Sequence, residues 1–382
     1  MRVLHVVAWP PESRGGYDLR TSGLMEGLAC HGIESASCAT RDFREQRLSL
    51  WNRLSVGLAK DIVKAARSAG ADLIHAHSPF YNGLAAARAA ATLGIPAVYE
   101  MRGVWEETAV TEGRARRGSL PWRAYRAFEK RASAAAARTI LPSRAMQEEL
   151  GSRGMGGPFC VVPNGAGPAG STPDPSPPPQ IEAWLARRES SCVLCHAGSI
   201  RHLERLERTI ALTEQLVDAG CCVSLVIVGQ GSAAKDIRCR MESSPASAAM
   251  LYHDHLPVHE ASWVLGRADV FLLTRGSDPV SRVIPPLKIV HAMASRCCVV
   301  AGDLPCIRET IDSGRTGVLV PPDDDAALFE GVRSLVCDAD MRRRLADAAH
   351  TYVAKERSWK AVTEPLVDVY TRALHAHAAR GS

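Results

Sequence analysis

The chain has 382 residues, enough for two domains that each bury a full core. With 46% hydrophobic and 23% charged residues it has the balance of an ordinary globular protein, and no apolar run reaches membrane-spanning length. A net charge of +5 is too mild for a nucleic-acid binder; it suits an anionic small molecule and, weakly, a membrane surface.

Met1-Arg2-Val3 runs straight into a strand pattern rather than a signal peptide, so the chain is expected in the cytoplasm. Strands are predicted at 3–8, 33–39, 72–76, 97–101, 139–141 and 159–162, with helices between them that stop at Gly32, Gly70 and Gly94. This alternation predicts a parallel sheet with helices on both faces, a Rossmann-like domain over 1–165. Within it, 120–138 carries Trp122, Tyr125 and Phe128 at spacing three, with Arg123, Arg126, Lys130 and Arg131 interleaved. Two readings stand: the aromatics pack inward and the charges are solvated, which is preferred, or the segment lies peripherally on the inner face of an anionic membrane.

Residues 165–180 are rich in Pro, Gly and Ser and read as a linker, extended to 166–190. The pattern then restarts over 191–357, with strands at 193–197, 224–228, 250–252, 270–273, 298–301 and 317–320 and helices at 205–219 and 325–338. One last helical segment, 341–379, carries Trp359, Val362, Leu366 and Tyr370 on a stripe, and its end, from about 358 to 380, is placed back on the first domain. The fold class is therefore α/β: two Rossmann-like domains facing across a cleft where ligands bind.

The chain has 12 cysteines, and Cys38, Cys160, Cys192, Cys195 and Cys298 fall in elements expected to be buried. Cys192 and Cys195 resemble half a zinc site, but no second pair follows, and spacing three on a strand points their sulfurs to opposite faces. Asp323-Asp324-Asp325 opens a helix and reads as an N-cap, while His253-Asp254-His255 ends a strand; no metal is expected.

Pro285-Pro286-Leu287-Lys288-Ile289-Val290-His291-Ala292-Met293-Ala294 carries the most chemistry. The prolines suit a first helical turn, and Leu287, Val290, Met293 and Ala294 recur at core spacing. Lys288 and His291, three apart, share a neighbouring face, so a helix start, a cation and an imidazole project together, as a phosphate-bearing ligand requires.

Several motifs, in order over both halves, resemble the retaining glycosyltransferases of family 4, which have a B-type fold of two Rossmann-like domains. They are Ser13-Arg14-Gly15-Gly16-Tyr17 with Arg20, Leu73-Ile74-His75-Ala76-His77, Val98-Tyr99-Glu100-Met101-Arg102 with Trp105-Glu106-Glu107, Val162-Pro163-Asn164-Gly165, Gly198-Ser199-Ile200-Arg201, Gly229-Gln230-Gly231, Pro286-Leu287-Lys288 and Thr316-Gly317-Val318. The Tyr99-Glu100 to Glu107 variant resembles the bacterial exopolysaccharide branch. The resemblance implies transfer of a hexose from a nucleotide diphosphate sugar to a glycan, lipid-linked or small-molecule acceptor, without nucleic acid. It implies front-face attack that retains configuration, needs no glutamate nucleophile, and rests on stabilising the leaving phosphate.

On that resemblance, Arg102, Arg201 and Lys288 are the expected catalytic residues. Gly15, Gly16, Arg205, Leu256, Arg282, Val283 and His291 are expected to hold the donor, and Arg20, His77 and Glu107 to lie on the acceptor side. Arg205 is either a phosphate cation or a solvated helix residue. Arg102, read beside Glu100, Glu106 and Glu107, belongs either to the site or to a surface ion-pair group. His75 and His77 are expected on opposite faces of their strand, with His75 in the core. Relatives carry two glutamates around the 285–294 helix; here the loop reads Ser281-Arg282-Val283-Ile284, and His291 stands at the ribose-binding position. The second reading is therefore a non-catalytic homologue that binds a protein partner.

Overall fold

The computed structural model describes residues 1–8, 16–40, 51–167 and 177–381. The chain forms two compact units. One comprises Met1–Gly165, Val283–Pro285 and Trp359–Ser382, the other Ala166–Arg282 and Pro286–Ser358.

In the first unit, β1 (Arg2–Val7), β2 (Glu34–Ala39), β3 (Leu73–His77), β4 (Ala97–Glu100), β5 (Thr139–Leu141) and β6 (Phe159–Val161) form a parallel sheet in the order β2-β1-β3-β4-β5-β6. Its helices are α1 (Gly16–Ala29), α2 (Trp51–Ala69), α3 (Phe80–Leu93), α4 (Trp105–Thr111), α5 (Leu120–Ala135) and α6 (Arg144–Ser152). In the second, after α7 (Pro179–Ala186), β7 (Cys192–Ala197), β8 (Val223–Val228), β9 (Met250–His253), β10 (Val270–Leu273), β11 (Cys298–Gly302) and β12 (Val318–Val320) are parallel in the order β12-β11-β10-β7-β8-β9. Their helices are α8 (Leu206–Asp218), α9 (Ala234–Glu242), α10 (Val258–Arg267), α11 (Pro279–Val283), α12 (Leu287–Ala294), α13 (Pro305–Arg308), α14 (Asp325–Cys337) and α15 (Ala339–Glu356); α16 (Trp359–Gly381) then returns to the first unit.

The strands form where short apolar runs are bounded by turn residues. β7, β8 and β10 are buried along their whole length, as strands covered by helices on both faces must be. Leu194, Leu225, Ile227, Leu272 and Val300 meet Ile210, Leu216, Val332 and Leu335 in the second core. All 12 cysteines are free; Cys192 and Cys195 are buried, and burial pushes both thiols up to about 12, while Cys38 and Cys160 are only half-buried.

Three features differ from the sequence reading. Pro285 and Pro286 precede the helix, because a residue before proline is driven out of the helical region; Pro286 is the extended N-cap and Leu287 is only half-buried. The long C-terminal segment is two helices, since Ser358 pairs with Ala166 in a bridge and Arg357 O accepts from Ala166 N, so the Arg357 carbonyl is spent outside the helix that its N–H still closes. Part of the expected linker is the helix α7.

α16 packs on α1 through small residues. A Cβ at Gly23 would collide with the Trp359 ring, and one at Gly27 would lie 2.6 Å from Thr363 Oγ1. In a free helix Gly→Ala stabilises by roughly 0.5–1 kcal/mol, whereas overpacking costs about 1–3 kcal/mol, so the clash decides the sign. Gly23→Ala should therefore lower the thermal midpoint, while Gly151→Ala, where a Cβ would meet nothing within 4 Å, should not. Equal midpoints for the two variants would refute the close α1–α16 contact.

Candidate functional site

Each sheet has a topological switch point, where the connections leaving two adjacent strands run to opposite sides. The pairs are β1/β3 and β7/β10. In open α/β sheets ligands bind beyond the C-terminal ends of such strands. Each unit gathers a buried, charged cluster there.

In the second unit the hub is Glu204, 1% exposed, in the turn between β7 and α8. Arg275, just beyond β10, donates to it from Nη2 at 2.7 Å and from Nε at 3.2 Å, and Lys288 Nζ of α12 lies 3.1 Å away. Burial alone would raise the Glu204 carboxyl; the two cations outweigh it and hold it well below the usual carboxylate range. His196, the penultimate residue of β7, is pushed down to about 3 by burial and then by Lys288. It is therefore neutral: Nδ1–H donates to Leu272 O at 3.1 Å, and Nε2 accepts from Lys288 at 3.1 Å. Lys288 also donates to Ser199 O at 3.3 Å, so its three N–H groups are all engaged. Burial first, then Arg275, pushes its ammonium down to about 8. Gly198 and Gly229 bring the turns after β7 and β8 together: a Cβ on Gly229 would overlap Gly198 O, and one on Gly198 would lie 3.1 Å from Lys288 Cε.

The other expected donor residues divide. Arg201 caps the short turn ahead of Glu204, and its charge reaches Lys288. Arg205 takes a left-handed conformation and pairs with Asp323, which also accepts from Ser277 Oγ at 2.8 Å. Leu256 is buried beyond β9, while Arg282 at the end of α11 is exposed. Val283 is buried in the first unit, its carbonyl accepting from Ser143 Oγ at 2.6 Å. His291 has a buried Nε2 with no partner among the described residues, and burial pushes its imidazole down to about 4. Gly16 opens α1, and Gly15 lies outside the described residues.

In the first unit the hub is Glu100, the last residue of β4 and fully buried. Arg20 Nε donates to Oε1 at 2.6 Å, and its Nη1 and Nη2 reach Pro163 O, Asn164 Oδ1 and Val162 O. Arg102 Nε lies 3.1 Å from Oε1, and its Nη1 donates to Tyr17 O at 2.7 Å and Thr21 Oγ1 at 2.9 Å. His77 Nδ1 sits 2.8 Å from Glu100 Oε2, and its Nε2 2.9 Å from His5 Nδ1. His75 Nδ1 meets Tyr370 OH of α16 at 2.7 Å. Burial raises and Arg102 and Arg20 lower the Glu100 carboxyl, leaving it well below its usual range; burial holds His5, His75 and His77 below theirs, and so neutral.

This corrects two expectations. His75 and His77 share one face, because residues two apart on a strand point the same way; their rings stack 4.2 Å apart. Arg102 is not part of a surface group: it is 6% exposed and pairs with Glu100 alone among the three acids. Glu106 pairs instead with Arg153 at 2.6 Å, and Glu107 with Arg117 at 2.7 Å. Asp324 caps α14 by accepting from Ala327 N. His5, His75 and His77 bring three ring nitrogens within 4.8 Å of one another, a donor set for a metal ion. Two guanidiniums against one carboxylate beside it already leave a positive surplus that opposes a dication. Glu204, Arg275, His196 and His5 were missed by the sequence reading; position at a strand end was an available signal for His196 and Arg275, whereas His5 lies within β1 and Glu204 in the turn before α8.

Residues 29–168 match the family model "Glycosyltransferase Family 4", and residues 180–352 match "Glycosyl transferases group 1". The chain is 35% identical over 125 residues to an alpha-maltose-1-phosphate synthase of Mycolicibacterium smegmatis, covering 31% of this chain and 30% of that protein. It is 25% identical over 186 residues to a glycogen synthase of Mycobacterium tuberculosis, covering 49% of this chain and 44% of that protein. The match thus spans less than half the length of these relatives. Sucrose-phosphate synthase of Thermosynechococcus elongatus has a similar fold, with TM-score 0.77 at 16% identity, covering 98% of this chain and all of the other (100%). Anabaena HepE in complex with UDP-glucose gives TM-score 0.71 at 15% identity, covering 97% and 99%.

The neutral buried imidazoles fix a sign for pH dependence. Each has a folded value below the ordinary 6.5, so on acidification the unfolded chain takes up protons first. Their effect on stability is nil above about pH 7, and stability falls as pH drops through 6.5, by up to about 1.4 kcal/mol per histidine per pH unit. Glu100 and Glu204, with depressed values, withdraw their contributions only at lower pH, below the ordinary 4.5. The thermal midpoint should fall by several degrees between about pH 7.5 and 5.5; a flat profile would mean that these imidazoles are solvated.

Proposed function

The chain belongs to the family 4 glycosyltransferases and has their two-Rossmann-domain B-type fold, and from that premise we propose that it transfers a hexose, with retention, from a nucleotide diphosphate sugar to a glycan, lipid-linked or small-molecule acceptor. The observation that carries this reading is the pair of cations held at the β7/β10 switch point. Arg275 and Lys288 are both largely buried and both bound by the carboxylate of Glu204 beside a neutral His196, and the charge of Arg201 reaches Lys288. Cations fixed beyond the strand ends are what a diphosphate leaving group requires.

Lys288 and Arg201 are assigned to the diphosphate, with Arg275 and Glu204 as positioning residues that hold Lys288. Leaving-group stabilisation then carries the catalysis, and no carboxylate nucleophile is needed. His291, with its unpartnered Nε2, has the hydrogen-bonding capacity to take a ribose hydroxyl in place of the missing glutamate. Gly15, Gly16, Arg205, Leu256, Arg282 and Val283 remain assigned to the donor, and Arg20, His77 and Glu107 to the acceptor side. Arg102 is reassigned from catalytic cation to positioning residue, because its guanidinium is taken up by Glu100, His77, Tyr17 O and Thr21. The reading needs no metal. A non-catalytic homologue with a protein partner is the second reading; the saturation of Lys288 by His196, Ser199 and Glu204 favours it.

Calorimetry against a panel of nucleotide sugars, with UDP-glucose first, tests the proposal. One member should bind, and Lys288→Ala should weaken it about tenfold or more. Because the Lys288 ammonium is pushed down to about 8, affinity should fall as pH rises through that value, and Lys288→Arg should remove this dependence. No binding to any member would shift the assignment to the non-catalytic homologue.

A further inference from the structure

Four cysteines are exposed: Cys30, Cys222, Cys239 and Cys337. An exposed cysteine gains nothing as a small hydrophobe, so its place has to be read from its neighbours. Cys337 meets a second thiol. The Cys221 and Cys337 side chains are hydrogen-bonded to each other, and Cys221 is itself only half-buried.

Both backbones are held. α8 stops before Gly220, which takes a left-handed φ of 77°, and the turn closes with Gly220 N donating to Val217 O and Cys221 N to Leu216 O, each at 2.9 Å. Cys222 O accepts from Cys192 N at 2.9 Å, which ties the same turn to β7. Cys337 is the last residue of α14, and Arg342 of α15 donates to the two carbonyls just before it, Leu335 O and Val336 O. Cys221 packs against the second core, which holds Leu216 of α8 and Val332 and Leu335 of α14. The thiols therefore bridge two helices that the core already presses together. At the other ends of these helices Arg208 donates to Asp325 at 2.7 Å, and Arg205 pairs with Asp323.

We propose that Cys221 and Cys337 form a reversible disulfide that staples α8 to α14, with a small-molecule disulfide as the oxidant. Burial first, then the neighbouring Cys337, pushes the Cys221 thiol up, so the exchange opens at the exposed Cys337. Its thiolate attacks one sulfur of the small disulfide and keeps that half as a mixed disulfide; the other half leaves as a thiol with the proton that Cys337 lost. Cys221 then gives up its proton and attacks Cys337 Sγ, and the second small thiol leaves with that proton. Two cysteine thiols are oxidised to one disulfide, and one small disulfide is reduced to two thiols. The staple lies at the helix ends remote from Glu204, and the inference is independent of the donor reading.

The reduced full chain, incubated with excess oxidised glutathione and then alkylated, tests the proposal by mass. A non-reducing peptide map should join the peptides of Cys221 and Cys337, with no glutathione retained at either position, and dithiothreitol should reverse the change. Cys221→Ser should instead trap glutathione on Cys337, because the resolving thiol is gone, whereas Cys222→Ser should still cross-link. Linking two helices across a long stretch of chain should raise the thermal midpoint by roughly 5 °C over Cys337→Ser treated alike. Circular dichroism of the reduced variants checks that they fold. Glutathione left on Cys337 of the unmutated chain, with no cross-link, overturns the proposal. So does a cross-link that Cys222→Ser abolishes, which moves the pairing to Cys222, or a cross-linked form no more heat-stable than treated Cys337→Ser.

Discussion

Each unit is organised around one ionised carboxylate placed where water cannot reach it. Burying such a charge without partners costs several kcal/mol, so Glu100 and Glu204 must recruit cations, and the geometry of both strand ends follows from that. Arg20 and Arg102 answer Glu100; Arg275 and Lys288 answer Glu204. In each case a buried histidine, held neutral by desolvation, fills the remaining hydrogen-bonding position without adding charge.

The consequences reach the packing of whole elements. Arg20 joins α1 to the end of β6 through Val162 O and Pro163 O, so the carboxylate at β4 orients a helix and a distant loop together. Tyr370 brings α16 into the same cluster through His75, and the glycines of α1 let Trp359 approach closely enough for that contact. In the second unit Lys288 fixes the first turn of α12 against the turn after β7, Gly198 leaves room for its stem, and Gly229 lets the turn after β8 close on Gly198. The two sheets differ in strand order, yet each cluster lies at or beside its sheet's switch point, Glu100 of β4 standing next to His77 at the end of β3. The shared cause is topological: diverging connections leave the ends of those two strands uncovered, and polar groups gather there.

The strands and their order along the chain were legible because most are short apolar runs bounded by glycine, proline or a polar turn, β2 with its Glu34-Ser35-Ala36-Ser37 being the exception. Lys288 and His291 were legible because helical periodicity places them without knowledge of any partner. The hubs were not. Arg20 meets Glu100 across 80 residues of chain, and Arg275 meets Glu204 across 71; no local spacing encodes such pairs. His75 and His77 were misread although strand alternation alone assigns both to one face. The helix break at Arg357 and Ser358 was hidden for a further reason, since it depends on a bridge to Ala166, far away in sequence.

The clusters are alike in charge but not in their capacity to respond. Around Glu100 both cations are arginines, whose planar forks are satisfied by carboxylate, backbone carbonyl and side-chain oxygens at fixed angles. Redirecting either one would strand several buried acceptors at once, so that cluster is built to hold its shape. Around Glu204 one cation is a lysine, a point charge on a flexible stem whose three bonds go to an imidazole, a carbonyl and a carboxylate already held by Arg275. Lys288 can give up one of these partners without leaving Glu204 unpaired, because Arg275 remains. The lysine cluster is therefore the one in which a positive charge can be transferred from the protein's own acceptors to an arriving anion, and Arg275, which stays on Glu204, is what makes that exchange affordable.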